Sequence, residues 1–432
     1  MINKFIFLKT KLILVSVFAL SLVLAGCSTS DDGVSGTDSE TKSLTFVMTS
    51  DWKTEPIEEI IVNFKEETGI TVDLQLIPGG DDKLDQIIKT RLATGDSMDI
   101  FAYAGAAKAE SSLQPEKNLV DLSNEPWADQ IVEAVKETIT YGDKLYGYPM
   151  TGVNVAGVIY NKEIFNQHNL EVPNTYDEFV KVAETLKNAG VTPLIEGGKD
   201  TWPLQLWGTG YFSNAFKEDP DVMTKINSNE IGFADVDVLV TALERHLDWY
   251  NKKFLDADTL STTQQMAVQA LLDGKAAMAD NADWMLNQLI DEQPDNFDMF
   301  PYPTEDGDNW GNMGIPQTLF IPKSSENIDA AKQFLSYLGS EENLNLWYEK
   351  NKLIPSWKNV ESNITEGQDV FYQLLKNNKA PVWMDGQIVA SYGYYGTFVQ
   401  QMLLGQKTPE DVAKELDAEL QKNAKARGIE GF

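Results

Sequence analysis

The alternation of strand-like and helix-like segments that begins at Leu44 constrains the fold most. Leu44-Thr45-Phe46-Val47-Met48 is a compact apolar strand. After the loop Thr49-Ser50-Asp51-Trp52-Lys53 comes a helix with Thr54 as N-cap and Pro56 in its first turn. Ile57, Ile60, Ile61 and Phe64 recur at i, i+3, i+4 and i+7 along it, and Gly69 ends it. Residues 70–77 read as a strand, 81–93 as a helix with Leu84, Ile87, Ile88 and Leu92 on one side, and 98–103 as another strand. Strands separated by helices pack as parallel α/β units, so the expected class is α/β. Further strands are expected at 144–150, 153–160, 275–279 and 315–321. Helices are expected at 176–188, 238–254, 262–272, 283–289, 327–338, 342–349, 369–376, 391–404 and 409–426. A chain of 432 residues is long enough for two or three lobes with sizeable cores.

The first 26 residues do not belong to that pattern. Lys4, Lys9 and Lys11 precede a run from Leu12 to Ala25 broken only by Ser16 and Ser21. A positive stretch, an apolar stretch and small residues at the end make a signal segment. The run is shorter than the ~20 apolar residues of a comfortable membrane span. It ends in Leu24-Ala25-Gly26-Cys27, which contains the only cysteine and resembles the lipobox of bacterial lipoproteins. The resemblance implies that Cys27 is lipidated, for example with palmitate, and becomes the N-terminus of a protein anchored to the cell membrane on its extracytoplasmic face. Residues 27–42, rich in Ser, Thr, Asp and Gly, read as a flexible tether.

Composition removes several functions. The formal charge of −31 becomes −34 once the three leader lysines are gone, which repels nucleic acid phosphates. With Cys27 acylated no thiol remains for a disulfide or a thiolate metal site, and neither a metal nor a cofactor is expected. Only Arg91, Arg245 and Arg427 offer the bidentate fork that a phosphate receptor favours. The chain has no Gly-rich phosphate loop, dinucleotide fingerprint, His-x-x-x-His or nucleophile elbow. The two histidines, His168 and His246, have polar neighbours and are expected on helix surfaces. The 66 acids leave a glycoside hydrolase carboxylate pair open, although no spacing singles one out.

Ten tryptophans are the chemical signal left. Trp52, Trp202 and Trp284 stand at expected element ends beside Asp51, Asp200 and Asp283, and Trp310 and Trp383 lie in expected loops. A pyranose offers an apolar face that stacks on indole and hydroxyls that need carboxylate or amide partners. For any one tryptophan a core role is the plainer reading. Several in the loops of an α/β protein favour a ligand site, because such folds bind at strand C-terminal ends.

Taken in order, the segments resemble a family. They are Phe64-Lys65-Glu66-Glu67-Thr68-Gly69-Ile70, Leu92-Ala93-Thr94-Gly95-Asp96, Tyr146-Gly147-Tyr148-Pro149, Ile159-Tyr160-Asn161-Lys162-Glu163, Pro173-Asn174-Thr175-Tyr176-Asp177-Glu178, Thr201-Trp202-Pro203-Leu204 and Gly274-Lys275-Ala276-Ala277-Met278 with Asp283-Trp284. From about residue 43 to 425 the chain resembles the solute-binding proteins of bacterial carbohydrate ABC importers, of the maltose and multiple-sugar type. The resemblance implies a monomeric two-lobed clamshell with crossover strands as a hinge. Its first lobe would span 43–152 plus 316–352 and its second 153–315 plus 353–432. It implies a sugar ligand, no catalysis, and partners in a membrane permease and a separate ATPase. It places Asp51 and Lys53 where sugar hydroxyls are gripped, and Trp52, Tyr103 and Asn154 on the first-lobe and hinge side. Trp284 falls at the stacking position with Asp283 beside it, Trp202 in the matching loop and Trp383 in a C-terminal aromatic position. Departures at Ala104, Ala106 and Asp283 argue against maltose itself. A hydrolase and a same-fold receptor for a non-sugar remain as alternatives.

Overall fold

A computed structural model describes residues 43–432 apart from Asp51, Trp52, Thr54, Gly79, Ser97 and Asn359. The signal segment, the tether and Cys27 therefore lie outside the described residues. Eleven strands are present among them: β1 (Ser43–Thr49), β2 (Thr71–Ile77), β3 (Ile100–Ala104), β4 (Thr140–Tyr141), β5 (Lys144–Leu145), β6 (Gly147–Pro149), β7 (Ala156–Asn161), β8 (Thr192–Ile195), β9 (Ala276–Ala282), β10 (Phe297–Phe300) and β11 (Gln317–Phe320). They form a five-stranded sheet in the order β2-β1-β3-β11-β6, a four-stranded sheet in the order β10-β7-β9-β8, and the small ribbon β4-β5. This is the two-lobed α/β architecture.

In the first sheet β1 pairs in parallel with β2 and β3, and β11 is antiparallel to β3 and β6. Side chains alternate along β3. Ile100 and Ala102 enter one core, Phe101 and Tyr103 the opposite one, as a strand covered on both faces requires. Helix Glu55–Thr68 buries Ile57, Ile60 and Phe64 and ends at Gly69, whose φ is 75°. In the second sheet β7 is antiparallel to β9 and β10, whereas β8 and β9 run parallel. Helix Tyr176–Asn188 starts in a Thr175/Glu178 capping box and buries Phe179, Val182, Ala183 and Leu186.

The chain passes between the sheets three times: from β6 to β7, from β10 to β11, and from helix Glu341–Asn351 to helix Glu366–Lys376. These strands of chain are tied to one another. Val153 bridges Ile354, Met313 bridges Val382, and the Gly314 N–H donates to the Asn154 carbonyl at 2.7 Å.

β8 and β10 were not anticipated. Pro193 sits inside β8, and β10 carries Asp298, so neither shows a clean apolar alternation. Asp298 is nonetheless buried, accepting from Thr365 Oγ1 at 2.5 Å and from the Gly367 N–H at 3.0 Å, with Lys162 Nζ at 3.2 Å. The expected helix at 391–404 begins only at Tyr395, because Gly393 takes a φ of 87°. His246 is a further correction. It is buried, and its Nε2 lies 2.9 Å from Glu196 Oε2.

Candidate functional site

The tryptophans divide by environment. Trp127, Trp207, Trp249, Trp347 and Trp357 are buried and serve the core, Trp207 and Trp249 meeting edge to face at 4.2 Å between ring centroids. Trp202 and Trp284 keep 38% and 37% of their surface exposed, and Trp383 is half-buried. These three come from separate segments and converge. The ring centroids of Trp202 and Trp284 are 6.2 Å apart at 53°, and those of Trp284 and Trp383 are 5.9 Å apart at 84°. The result is an aromatic corner with two partly open indole faces.

Each wall of the corner is held by its own element. The chain leaves β8 through Glu196-Gly197-Gly198 and reaches Thr201, whose φ of 62° and ψ of −45° lie outside the regions β-branched residues prefer. Helix Tyr395–Leu403 clamps this loop. A Cβ on Gly396 would stand 2.1 Å from the Thr201 carbonyl oxygen, and Gln400 Nε2 donates to the Gly198 carbonyl at 3.1 Å. Trp202 then opens a short 3-10 turn with Pro203 behind it. Trp284 lies in the first turn of helix Asp283–Glu292, directly after β9. The Trp383 N–H donates to the Met313 carbonyl at 2.8 Å, and its indole N–H donates to Asn312 Oδ1. The same Asn312 side chain accepts from the Ala156 N–H at 2.9 Å and donates to the Ala156 carbonyl at 2.7 Å. Trp383 is thereby fixed to the start of β7.

Beside Trp383 is a cavity of about 320 Å3 lined by Ala104 and Lys108 from the first-sheet side and by Trp383, Asp385 and Gly386 from the other. A larger cavity, about 610 Å3, is lined by Tyr141, Phe216, Trp310 and Met313 but by none of the three converging tryptophans. Of the three tryptophans Trp383 lines the smaller cavity and none lines the larger, so the candidate site is placed at the smaller one. Among the described residues no cluster of His, Cys, Asp or Glu has a metal-holding arrangement.

The remaining expected site residues fall as follows. Asn154 is half-buried in the first crossing segment. Lys53 is exposed and paired with Glu58 at 2.6 Å. Asp51 and Trp52 lie outside the described residues. Tyr103 differs from expectation: its side chain faces the core between its strand and helix Gly80–Thr94, and its hydroxyl donates to Asp85. Asp283 differs too. It has no exposed surface, accepts from the Val155 N–H at 3.3 Å through Oδ1, and leaves Oδ2 without a partner. Burial pushes its carboxyl up to about 8, against the lowering effect of the neighbouring backbone N–H groups. Asp283 thus ties helix Asp283–Glu292 to the first crossing segment. Lys108 and Asp385 were missed because neither stands in a recognisable spacing.

Comparison with known proteins agrees with this fold. A family model described as bacterial extracellular solute-binding protein matches residues 49–344. The melibiose/raffinose/stachyose-binding protein of Bacillus subtilis is 23% identical over 433 residues, covering 95% of this chain and 96% of its own. A maltooligosaccharide ABC transporter solute-binding lipoprotein of Streptococcus pneumoniae is 23% identical over 360 residues, 81% of each chain. Among solved structures, a putative binding protein of Bacillus subtilis in an open conformation matches with a TM-score of 0.77 at 19% identity, over 91% of this chain and 100% of that one.

Proposed function

We propose, from the premise that this chain belongs to the bacterial extracellular solute-binding protein family, that it captures a saccharide and delivers it to the permease of an ABC importer. Membership makes it a solute binder outside the cytoplasm rather than an enzyme. The observation that carries the sugar reading is the convergence of Trp202, Trp284 and Trp383 beside a cavity between the two sheets. Indole faces at an angle take the apolar faces of pyranose rings. Lys108 and Asp385, which line that cavity, would serve hydroxyls together with Asn154, and Lys53 with Asp51 and Trp52 would close from the first lobe.

The lobes we assign are 43–152 plus 316–352 and 153–315 plus 353–432. The three crossings between the sheets support these boundaries. Ligand bridging both lobes would shift an open–closed equilibrium by its differential affinity for the closed form, a hinge closure of the periplasmic binding protein kind. Lipidation at Cys27 and a tether over 27–42 would keep the receptor concentrated near its permease, whose ATPase is a separate chain. The name of the pneumococcal relative supports a lipoprotein.

The test is a melting-temperature screen of residues 28–432 against mono- and oligosaccharides, raffinose and stachyose included, with chromatography of the sugars afterwards. Stabilisation without product is the expected result. Product formation would point to a hydrolase, and silence to every neutral sugar would refute the saccharide reading.

A further inference from the structure

Two of the three tryptophans follow closely on buried carboxyl groups carried by neighbouring strands of the second sheet. The last paired rung of the parallel strands β8 and β9 joins Ile195 to Ala279. Glu196 and Asp280 follow at the next rung and, by the alternation of strands, leave the sheet on the same face. Both are buried, Asp280 fully. Trp202 follows Glu196 by six residues and Trp284 follows Asp280 by four.

Four elements supply the groups that face this pair; helix Leu206–Tyr211 supplies the Trp207 backbone N–H, which lowers the Asp280 carboxyl without overcoming its burial. Helix Asp237–Asn251 supplies His246, whose Nε2 is 2.9 Å from Glu196 Oε2. The chain after β10 supplies Tyr302, whose hydroxyl donates to Asp280 Oδ1 at 2.7 Å. Helix Tyr395–Leu403 supplies the buried Tyr395 hydroxyl. Arg245, next to His246, is engaged elsewhere, with Tyr211, Tyr176 and Glu305. The one imidazole bonds Glu196 and reaches Asp280 only through its charge, and Glu196 Oε1, Asp280 Oδ2 and the Tyr395 hydroxyl make no close hydrogen bond. With both carboxyls ionised and the only nearby cation bonded to Glu196, the two would repel, and the repulsion would act on the neighbouring strands β8 and β9.

We propose that Glu196, Asp280 and His246 are positioning residues for the Trp202 and Trp284 loops, and that a proton held on Asp280 keeps the two indoles in their binding arrangement. The protonated carboxyl supplies a donor where two acceptor oxygens stand unmatched. Its loss sets two like charges side by side and strains β8 against β9 one rung beyond Ile195 and Ala279. Burial, with Glu196 beside it, holds the Asp280 carboxyl well above the usual carboxylate range. Burial lowers His246, but Glu196 outweighs it and the net direction is upward. Both groups thus favour the protonated cluster, and the arrangement is lost as the pH rises through their titration. The inference rests on the reading of the aromatic corner as the binding site.

The experiment needs no ligand. The protein is labelled with 5-fluorotryptophan, its resonances are assigned with single Trp→Phe variants, and fluorine spectra are followed from about pH 5 to about pH 10, a range that spans strongly raised carboxyls. The Trp202 and Trp284 resonances are expected to move with one shared midpoint, while Trp383, held by Asn312, stays in place. In Asp280→Asn, which keeps the shape and the Tyr302 bond, both should stay at their low-pH positions, and His246→Gln should displace the midpoint. Asp283, next to Trp284, also titrates in this range, so the spectra are recorded in an Asp283→Asn background, which removes its contribution. Static Trp202 and Trp284 resonances, movement of Trp284 alone, or unchanged movement in both variants would overturn the proposal. Raffinose added to the same samples separates the two readings. Fluorine shifts as expected without binding of raffinose or any other screened sugar would refute the sugar reading and leave the coupling standing.

Discussion

Trp284→Ala probes the site most directly. Trp284 keeps 37% of its surface exposed between Trp202 and Trp383. A tryptophan side chain carries up to about 250 Å2, so about 90 Å2 of indole is available to a ligand. Covering all of it at about 25 cal/mol/Å2 contributes about 2.3 kcal/mol, and covering one face about half that. Truncation should therefore weaken the best sugar from the melting screen by between about 7-fold and about 50-fold. The buried remainder of the ring is lost as well, so the melting temperature should fall by a few degrees while the fold persists. Titration calorimetry with the sugar and circular dichroism of the free variant measure the two effects separately. Affinity unchanged within twofold in a folded Trp284→Ala protein would remove Trp284 from the site and, with it, the argument from the aromatic corner.

Asp283→Asn should flatten the pH dependence of stability. The folded carboxyl is raised to about 8 by burial, so its favourable contribution is complete below the unfolded value and is lost as the pH climbs to about 8. Scanning fluorimetry should show the wild-type melting temperature falling more than the variant's between mildly acidic and mildly alkaline pH, and parallel curves would contradict the burial argument. Asn312→Leu removes the partner of the Trp383 indole and of both Ala156 backbone groups. It should cost about 1–3 kcal/mol per buried group left unpaired and weaken sugar binding, seen by denaturant melts and calorimetry. Gly396→Ala places a Cβ against the Thr201 carbonyl and should displace the Trp202 loop, lowering both stability and affinity; equal affinity in the folded variant would show that the clamp is not needed. Cys27→Ser should release the protein from the cell surface on fractionation and leave the affinity of the purified protein intact; weakened binding in solution would refute the separation of anchor and site.

Much of the fold was legible because it rests on local periodicity. The run Ile57, Ile60, Phe64 defines a helix face wherever it is placed, and Thr175 with Glu178 caps a helix through contacts three residues apart. Trp202, Trp284 and Trp383 could be selected by their polar neighbours and by resemblance, since loop position is also a local property. Their meeting could not be read that way. It depends on the return of the chain through Met313 and Val382 and on Asn312 reaching Ala156, contacts between residues far apart in sequence. The same holds for the residues whose surroundings differ from expectation. Tyr103 and Asp283 have suitable chemistry beside the right elements, but which face of a strand end meets solvent is decided by what packs on it, here helix Gly80–Thr94 and the segment at Val155. His246 read as polar surface because its partner Glu196 is 50 residues away. The sequence by itself determined most of the elements, the α/β class and the stock of aromatic side chains, because each follows from residues within a turn or two. Only the tertiary structure decided which tryptophans form a corner and which carboxyls are buried beneath it, because burial and proximity are properties of packed layers.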